Sequence, residues 1–180
     1  MLNIRLYNGS HRGGGMVFAD DGTFWLTVGD QFRYFTAQDI VDTLEGGTLR
    51  LRLELPENGD GSVTCPAGSH APIRAFGSVD PVNPPQVLGQ PDEVSGQLYC
   101  IPDDNPWLSP TGARFEEYAT IGHRNPHRLA KDPVTGRLWS GEIGESTREE
   151  INVLQLGHNY GWPFREGTVG ESPVLPGAGL

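Results

Sequence analysis

A histidine in a glycine-rich polar loop is the first residue of this sequence that is suited to chemistry. His11 lies in the segment Ser10-His11-Arg12-Gly13-Gly14-Gly15. Imidazole titrates near physiological pH, so His11 could serve as a general base. The glycines lack a Cβ and would let a ligand approach the loop backbone closely. Taken alone, a histidine in a polar loop is more often a surface residue.

A second polar cluster, Gly122-His123-Arg124-Asn125-Pro126, lies far along the chain. Arg124 is a permanently charged, planar donor that can stabilise a developing oxyanion. Asn125 could donate a hydrogen bond to the same ligand. The alternative is that both side chains only satisfy carbonyls of their own loop, and the residues themselves leave this open.

The elements that must position these clusters follow a repeated order of polar cluster, strand, turn with Asp and Gly, and strand with Trp. The turns are Ala19-Asp20-Asp21-Gly22 and Asp132-Pro133-Val134-Thr135-Gly136, in which glycine supplies a positive φ. Alternation of apolar and polar residues predicts β-strands at 16–18, 23–28, 48–55, 137–140 and 151–154. Two copies of one unit suggest a radial repeat of small antiparallel sheets, as in a β-propeller.

Three further predictions concern local structure. The strand at 48–55 alternates leucines with charged residues, so we expect its leucines to face a core and Arg50 and Arg52 to face water. Residues 36–44 could form one or two helical turns, with Thr36 as the N-cap. Tyr160 and Trp162 are predicted to pack a corner between strands, although an aromatic near a cleft could also stack on a ligand.

Four segments in this order resemble the soluble quinoprotein glucose/sorbosone dehydrogenase family. They are SHRGGGMVFADDGTFWLTVGD, TLEGGTLRLRL, YCIPDDNPW and GHRNPHRLAKDPVTGRLWSGEIGESTREEINVLQLGHNYGWP. The resemblance implies an all-β fold, a six-bladed β-propeller of four-stranded antiparallel blades. It also implies oxidation of an aldose hydroxyl by hydride transfer to pyrroloquinoline quinone, with Ca²⁺ beside the quinone. The same fold serves non-catalytic extracellular binding modules, so the fold alone does not decide function.

The resemblance assigns a role to each candidate residue. His11 matches the catalytic base of the family, and Arg124 matches the cation beside the quinone oxygen that gains charge. Asn125 and His127 fall at positions of cofactor contact, although His127 stands where some members have Gln. Backbone carbonyls at Gly144 and Glu145 would hold the calcium ion, which prefers oxygen ligands. Some members have Pro where this chain has Glu145; a carbonyl survives that exchange, and a carboxylate could add a ligand.

The length sets how much of such a propeller the chain can contain. With roughly 40–45 residues per blade, 180 residues hold about three or four blades once the long middle loop is discounted. We therefore expect residues 1–180 to be a partial propeller domain, with the remaining blades and further quinone-binding cations outside this chain. Residues 56–95 are rich in Gly, Pro, Asn, Asp and Ser, and we expect a long loop insertion there.

Composition and hydropathy argue against some classes of function. The net charge of −10 argues against nucleic acid as a partner. The sequence has no apolar stretch long enough to span a membrane and no visible signal peptide. The resemblance nevertheless implies a periplasmic or extracellular location. Cys65 and Cys100 lack metal-type spacing; we expect unpaired thiols, with a disulfide as the alternative if the protein is exported.

Three hypotheses follow for function. The favoured one is a segment of a quinone-dependent sugar dehydrogenase, whose partners would be a sugar substrate and an external electron acceptor. The second is a secreted propeller that acts only as a binding module, which would need neither His11 nor the Arg124-Asn125 pair. The third is a metal-dependent propeller hydrolase, which would require several inward-pointing carboxylate or histidine ligands.

Overall fold

The computed structural model of the chain describes residues 4, 9–53, 64–73 and 99–170. In these residues the fold is all-β, and the only helix is a short 3-10 helix, Tyr34–Gln38. The strands are β1 (Met16–Phe18), β2 (Phe24–Val28), β3 (Gly47–Leu53), β4 (Ser69–His70), β5 (Tyr99–Pro102), β6 (Tyr118–Ile121), β7 (Pro126–Lys131), β8 (Leu138–Glu142), β9 (Glu150–Val153), β10 (Arg165–Glu166) and β11 (Val169–Gly170).

The predicted strands are confirmed to within two residues at their ends, with residues 54–55 of the strand predicted at 48–55 lying outside the described residues. They form separate antiparallel sheets. In the first sheet β1 pairs with β2, β2 with β3, and β3 with β6. The far end of β3 also pairs with β5, which in turn pairs with β4. A second sheet has the order β7-β8-β9, and β10 pairs with β11. Small antiparallel sheets of this kind are the units of a radial repeat.

The two repeated turns both form hairpins, for the reason that the sequence indicates. Gly22 has φ +79° between β1 and β2, and Gly136 has φ +70° between β7 and β8. In the second turn, the Gly136 N–H donates to the Asp132 carbonyl at 2.9 Å, and the Asp132 carboxylate accepts the Val134 N–H at 2.9 Å. Each turn therefore combines a left-handed glycine with a preceding aspartate.

The apolar core joins the two larger sheets. Trp25 of β2 packs in one cluster with Leu138 of β8, together with Ala119 and Leu154. The sheets also approach at Gly15, where an added Cβ would lie 2.8 Å from the Leu129 Cβ. The end of the glycine-rich loop therefore packs against β7. This contact places the loop close to the second polar cluster, which leads into β7.

The expected helical turns at 36–44 form only in part. The 3-10 helix begins after Arg33, so Thr36 is not its N-cap, and it ends at Gln38. The Asp39 carboxylate then accepts the backbone N–H of Val41 at 2.7 Å. Aspartate competes in this way with helical hydrogen bonding, and it stops the helix here.

The expectation that Arg50 faces water is wrong. Arg50 is buried, and its guanidinium pairs with Asp21 at 2.8 Å and Asp104 at 2.6 Å. β3 has a paired strand on each side, and residues on both of its faces are buried. A polar residue in this strand is therefore not always exposed to water. Arg52, two residues further along, is only half-buried.

The expectation of unpaired thiols is also wrong, because Cys65 and Cys100 form a disulfide. It ties the segment 64–73 to β5. Most of the insertion predicted at 56–95 lies outside the described residues. Within the part of the chain that the structure describes, no helix is long and apolar enough to cross a membrane.

Candidate active site

The catalytic candidate His11 is held by a buried carboxylate. Its Nδ1 lies 2.6 Å from Oδ1 of Asp30, which is fully buried, and its ring lies 3.8 Å from the Phe32 ring, centroid to centroid. An ionised carboxylate only accepts hydrogen bonds, so we assign the imidazole hydrogen to Nδ1. The Nε2 lone pair of His11 is then the one that can accept a proton.

Asp30 is the centre of this part of the site. Besides His11, it accepts the Phe32 N–H at 2.9 Å and the Trp162 Nε1–H at 2.7 Å. Its own N–H donates to the Arg124 carbonyl at 2.8 Å. Asp30, two residues after the first Trp-bearing strand, therefore connects His11 to Arg124 and Trp162.

The backbone of His11 is in the left-handed region, with φ +51°. A glycine allows this close packing, because a Cβ on Gly29 would lie 2.0 Å from the His11 carbonyl oxygen. Non-glycine residues with positive φ are uncommon and occur where the surroundings enforce them. The loop conformation at His11 is thus fixed by backbone contact as well as by Asp30.

The backbone of Arg124 and Asn125 is held by another buried carboxylate. Glu142, at the end of β8, accepts the Arg124 N–H at 2.5 Å and the Asn125 N–H at 2.8 Å through Oε1. Its Oε2 lies 2.6 Å from Nδ1 of His123, which is itself fully buried. The Asn125 Oδ1 accepts the Gly13 N–H at 3.2 Å, which connects this segment to the glycine-rich loop.

The Arg124 side chain lies among aromatic rings and carbonyls. Its Cζ is 5.4 Å from the Trp162 ring centre and 5.9 Å from the Phe32 ring centre, within the range of cation–π attraction. Its Nη1 donates to the Gly144 carbonyl at 2.7 Å and to that of Ile143 at 3.2 Å. Its Nε is buried and has no hydrogen-bond partner among the described residues. An unsatisfied buried donor of this kind fits an anionic or carbonyl-bearing ligand.

The loop after β8 carries the two carbonyls that the family resemblance assigns to calcium. Glu166 of β10 accepts backbone N–H groups of this loop. Burial alone would raise the pKa of Glu166, but hydrogen bonds from Thr147 and the neighbouring amides lower it to about 2. The loop is thus organised around a carboxylate that stays ionised at any ordinary pH.

The Glu145 carboxylate has a protein partner. It accepts the Tyr34 hydroxyl hydrogen at 2.7 Å, and this bond raises the pKa of Tyr34. The carbonyls of Gly144 and Glu145 are the kind of oxygen that Ca²⁺ takes as a ligand. No group of three or more His, Cys, Asp or Glu side chains able to hold a metal occurs in the described part of the chain.

The structure therefore brings His11, Arg124 and Asn125 together, with Gly144 and Glu145 beside Arg124. His127 is different, because it lies in β7 at a register irregularity with its side chain exposed. The structure does not bring it into the hydrogen-bond network that the described residues form around His11.

The two aromatic residues expected at a corner have separate surroundings. The Tyr160 ring lies 4.6 Å from the His123 ring and its hydroxyl donates to the Val153 carbonyl at 2.6 Å, so it packs as predicted. Trp162 is also buried, but it contacts Asp30 and Arg124 and belongs to the site.

Sequence reasoning missed the residues that hold the site. They are the carboxylates Asp30, Glu142 and Glu166 and the aromatic residues Phe32 and Tyr34. The sequence carries a weak signal for Asp30. It follows the glycine at the end of the first Trp-bearing strand, an element that the repeat itself predicts. No spacing in the sequence indicates Glu166, which reaches its loop from a separate hairpin.

Comparison with known proteins identifies the family. Residues 96–171 match the family model "Glucose / Sorbosone dehydrogenase". The chain is 31% identical over 160 residues to aldose sugar dehydrogenase YliI of Escherichia coli (strain K12), covering 89% of this chain and 31% of that protein. It is 48% identical over 63 residues to quinoprotein glucose dehydrogenase B of Acinetobacter calcoaceticus, covering 35% of this chain and 12% of that protein.

Solved structures give the same result. The PQQ-bound form of aldose sugar dehydrogenase from Streptomyces coelicolor superposes with a TM-score of 0.56 at 26% identity, over 93% of this chain and 35% of that one. The chain thus spans about a third of the length of the relatives that match most of it. These likenesses and the separate antiparallel sheets confirm an all-β fold that forms part of a β-propeller. The two polar loops and these matches agree, so residues 96–171 carry the signature of the glucose/sorbosone dehydrogenase family, and most of the chain is similar to its members.

Proposed function

We propose that this chain supplies the base-bearing part of a quinone-dependent aldose dehydrogenase. The observation that carries the proposal is the convergence of His11, paired with buried Asp30, and Arg124, whose buried Nε lacks a partner among the described residues. A general base and a cation with one unused donor, joined in one network through Asp30, suit the oxidation of a hydroxyl by a quinone. The likeness to the quinoprotein relatives supports the same assignment.

Pyrroloquinoline quinone, when bound, would accept the hydride from the sugar carbon and become reduced while the aldose becomes a lactone. His11 would take the hydroxyl proton on Nε2, because its Nδ1 hydrogen is committed to Asp30. Asp30 would hold the ring in that tautomer and stabilise the imidazolium that forms. An external electron acceptor would have to reoxidise the quinone after each turnover.

Arg124 would bind and polarise the quinone oxygen that gains negative charge. Its contacts to two aromatic rings and two carbonyls fix the guanidinium before the ligand arrives, and such preorganised donors stabilise charge effectively. Asn125 would extend the same contact. We assign calcium to the carbonyls of Gly144 and Glu145, the first of which accepts a hydrogen bond from Arg124.

The disulfide supports a location outside the cytosol. Cys65 and Cys100 are bonded, and structural disulfides persist mainly in oxidising compartments. We therefore place the protein in the periplasm or the extracellular space. Titration of free thiols in protein isolated from its native host should find neither cysteine reactive; two reactive thiols would contradict the placement.

The test of the function uses the intact protein that contains this chain. It is loaded with pyrroloquinoline quinone and Ca²⁺, and reduction of a dye acceptor is followed with a panel of aldoses. We expect calcium-dependent quinone binding and dye reduction, both lost on chelation. A protein that binds no quinone with calcium present would contradict the proposal and favour the binding module.

A further inference from the structure

One carboxylate organises the whole loop that follows β8. Glu166 Oε1 accepts the backbone N–H groups of four consecutive residues: Glu145 at 2.5 Å, Ser146 at 2.9 Å, Thr147 at 3.0 Å and Arg148 at 3.2 Å. Successive inward-pointing amides form a concavity that binds anions. Here the chain's own side chain, reaching across from β10, fills it.

This arrangement determines where the carbonyls of the loop point. In a trans peptide unit the N–H and C=O bonds point in opposite directions. The N–H groups of Glu145 and Ser146 point at Glu166, so the carbonyls of the same peptide units, those of Gly144 and Glu145, point away from it. An independent contact agrees, because the Gly144 carbonyl accepts from Arg124 at 2.7 Å.

The position before the loop amides must be glycine for this geometry. A Cβ on Gly144 would lie 1.8 Å from the Arg148 carbonyl oxygen and 2.6 Å from Glu166 Oε1. A second acidic residue of the same loop, Glu149, makes only one such bond, accepting the Gly144 N–H at 3.1 Å. The two carboxylates thus differ in how much of the loop they hold.

We propose that Glu166 is a positioning residue that aims the carbonyl oxygens of Gly144 and Glu145 toward the site for a divalent cation. The inference rests on the proposed function, and it adds a residue that does not itself touch the cation. Glu166 faces the N–H side of these two peptide units, and the carbonyl oxygens point to the opposite side. Without it, four amides would lose their shared acceptor and the two carbonyls would no longer be held in one direction.

The test compares Glu166→Ala with Glu149→Ala in the intact protein. Calcium affinity is measured by titration calorimetry in the presence of pyrroloquinoline quinone. Loss of a residue that orients metal ligands typically weakens metal binding about 10–100-fold, and we expect this for Glu166→Ala. Glu149→Ala also removes one negative charge next to this loop but only one of its hydrogen bonds, so we expect a change of less than about threefold. Equal weakening in the two variants would show that charge, and not orientation, is responsible, and would overturn the inference.

Hydrogen exchange of the loop amides gives a readout that needs neither calcium nor turnover. We expect the amides of residues 145–148 to be protected in the native protein and to exchange faster in Glu166→Ala. Glu166→Gln keeps one acceptor oxygen in place, so it should retain part of the protection and of the calcium affinity, and it serves if the alanine variant does not fold.

The outcomes separate this inference from the proposed function. If the native protein binds no calcium, the proposed metal site fails and the inference falls with it. If the native protein binds calcium and the Glu166 variants match it in both affinity and amide exchange, only the inference is overturned.

Discussion

Two backbone segments of the site are each held by a single carboxylate oxygen, but at different depths. Arg124 and Asn125 donate to Glu142, which is 5% exposed. The exposed loop 145–148 donates to Glu166 of β10, which is half-buried. The second oxygen of Glu142 is also committed, to buried His123. The same device therefore fixes one segment inside the core and the other at the surface.

The difference indicates which half of the site is preformed. A buried acceptor that is removed leaves donors that water cannot reach, which costs more than the loss of an exposed acceptor. The segment that we propose to contact the quinone is thus held by buried contacts before any ligand binds. The loop that we assign to calcium depends on a contact that water can replace, so it is the half that ligand binding can still order.

The largest effect should come from breaking the buried holder. We expect Glu142→Ala to lower the free energy of unfolding by about 3–5 kcal/mol, because it leaves His123 and two backbone donors buried without an acceptor. Glu166→Ala should lower it by only about 1 kcal/mol or less. Urea denaturation of both variants measures the two values, and equal losses would contradict the difference in depth.

A change at Asp30 sharpens the comparison by leaving the fold in place while disturbing the base. In Asp30→Asn the amide NH₂ would face a donor, either the His11 Nδ1–H or the Trp162 Nε1–H, and in both cases the imidazolium that forms on proton transfer would lose its negatively charged partner. We expect kcat to fall by about 100-fold or more. Quinone affinity should be unchanged within a few-fold. A matching loss of quinone affinity would show that Asp30 holds the cofactor pocket and not the base.

Glu45 provides a buried carboxylate that positions neither segment. Burial raises its pKa to about 7 from an ordinary 4.5, and its Oε2 has no hydrogen-bond partner among the described residues. The native state therefore binds this proton more tightly than the unfolded state, and stability falls as pH rises from about 4.5 through 7.

Glu45→Gln should remove this loss. We expect the variant to be more stable than the native protein by about 1–3 kcal/mol at pH 8 and to show little advantage at pH 4. Thermal unfolding across this pH range measures the effect. A native protein whose stability rises between pH 5 and 7 in step with Glu45 ionisation would contradict the assignment.

The strands were predictable from the sequence because alternation and turn chemistry are local. The sequence did not predict that the tryptophans of the two copies would differ in burial. Trp25 is 6% exposed in the core between two sheets, whereas Trp139, at the equivalent position, is 38% exposed. Which face of a sheet is covered depends on the neighbouring sheet, and the strand itself carries no signal of it.

Long-range ionic contacts were out of reach for the same reason. Arg50 alternates with leucines like a residue on a wet face, but Asp21 and Asp104 from two separate turns enclose it. The candidate site was predicted only through the groups proposed to contact ligands, namely His11, Arg124, Asn125, His127 and the carbonyls of Gly144 and Glu145. Asp30 and Glu142, which hold those residues, satisfy backbone and ring donors, and such roles leave no spacing pattern.

The most direct test of the shared site measures quinone affinity and reduction of the bound quinone by an aldose in two variants of the intact protein. We expect His11→Ala to lose reduction by about 10²–10⁴-fold with quinone affinity nearly unchanged, and Arg124→Lys to lose both. His158→Ala, an exposed histidine outside the site, should behave as the native protein. A His11→Ala protein that reduces its quinone at the native rate, or that loses quinone affinity as strongly as Arg124→Lys, would contradict the account.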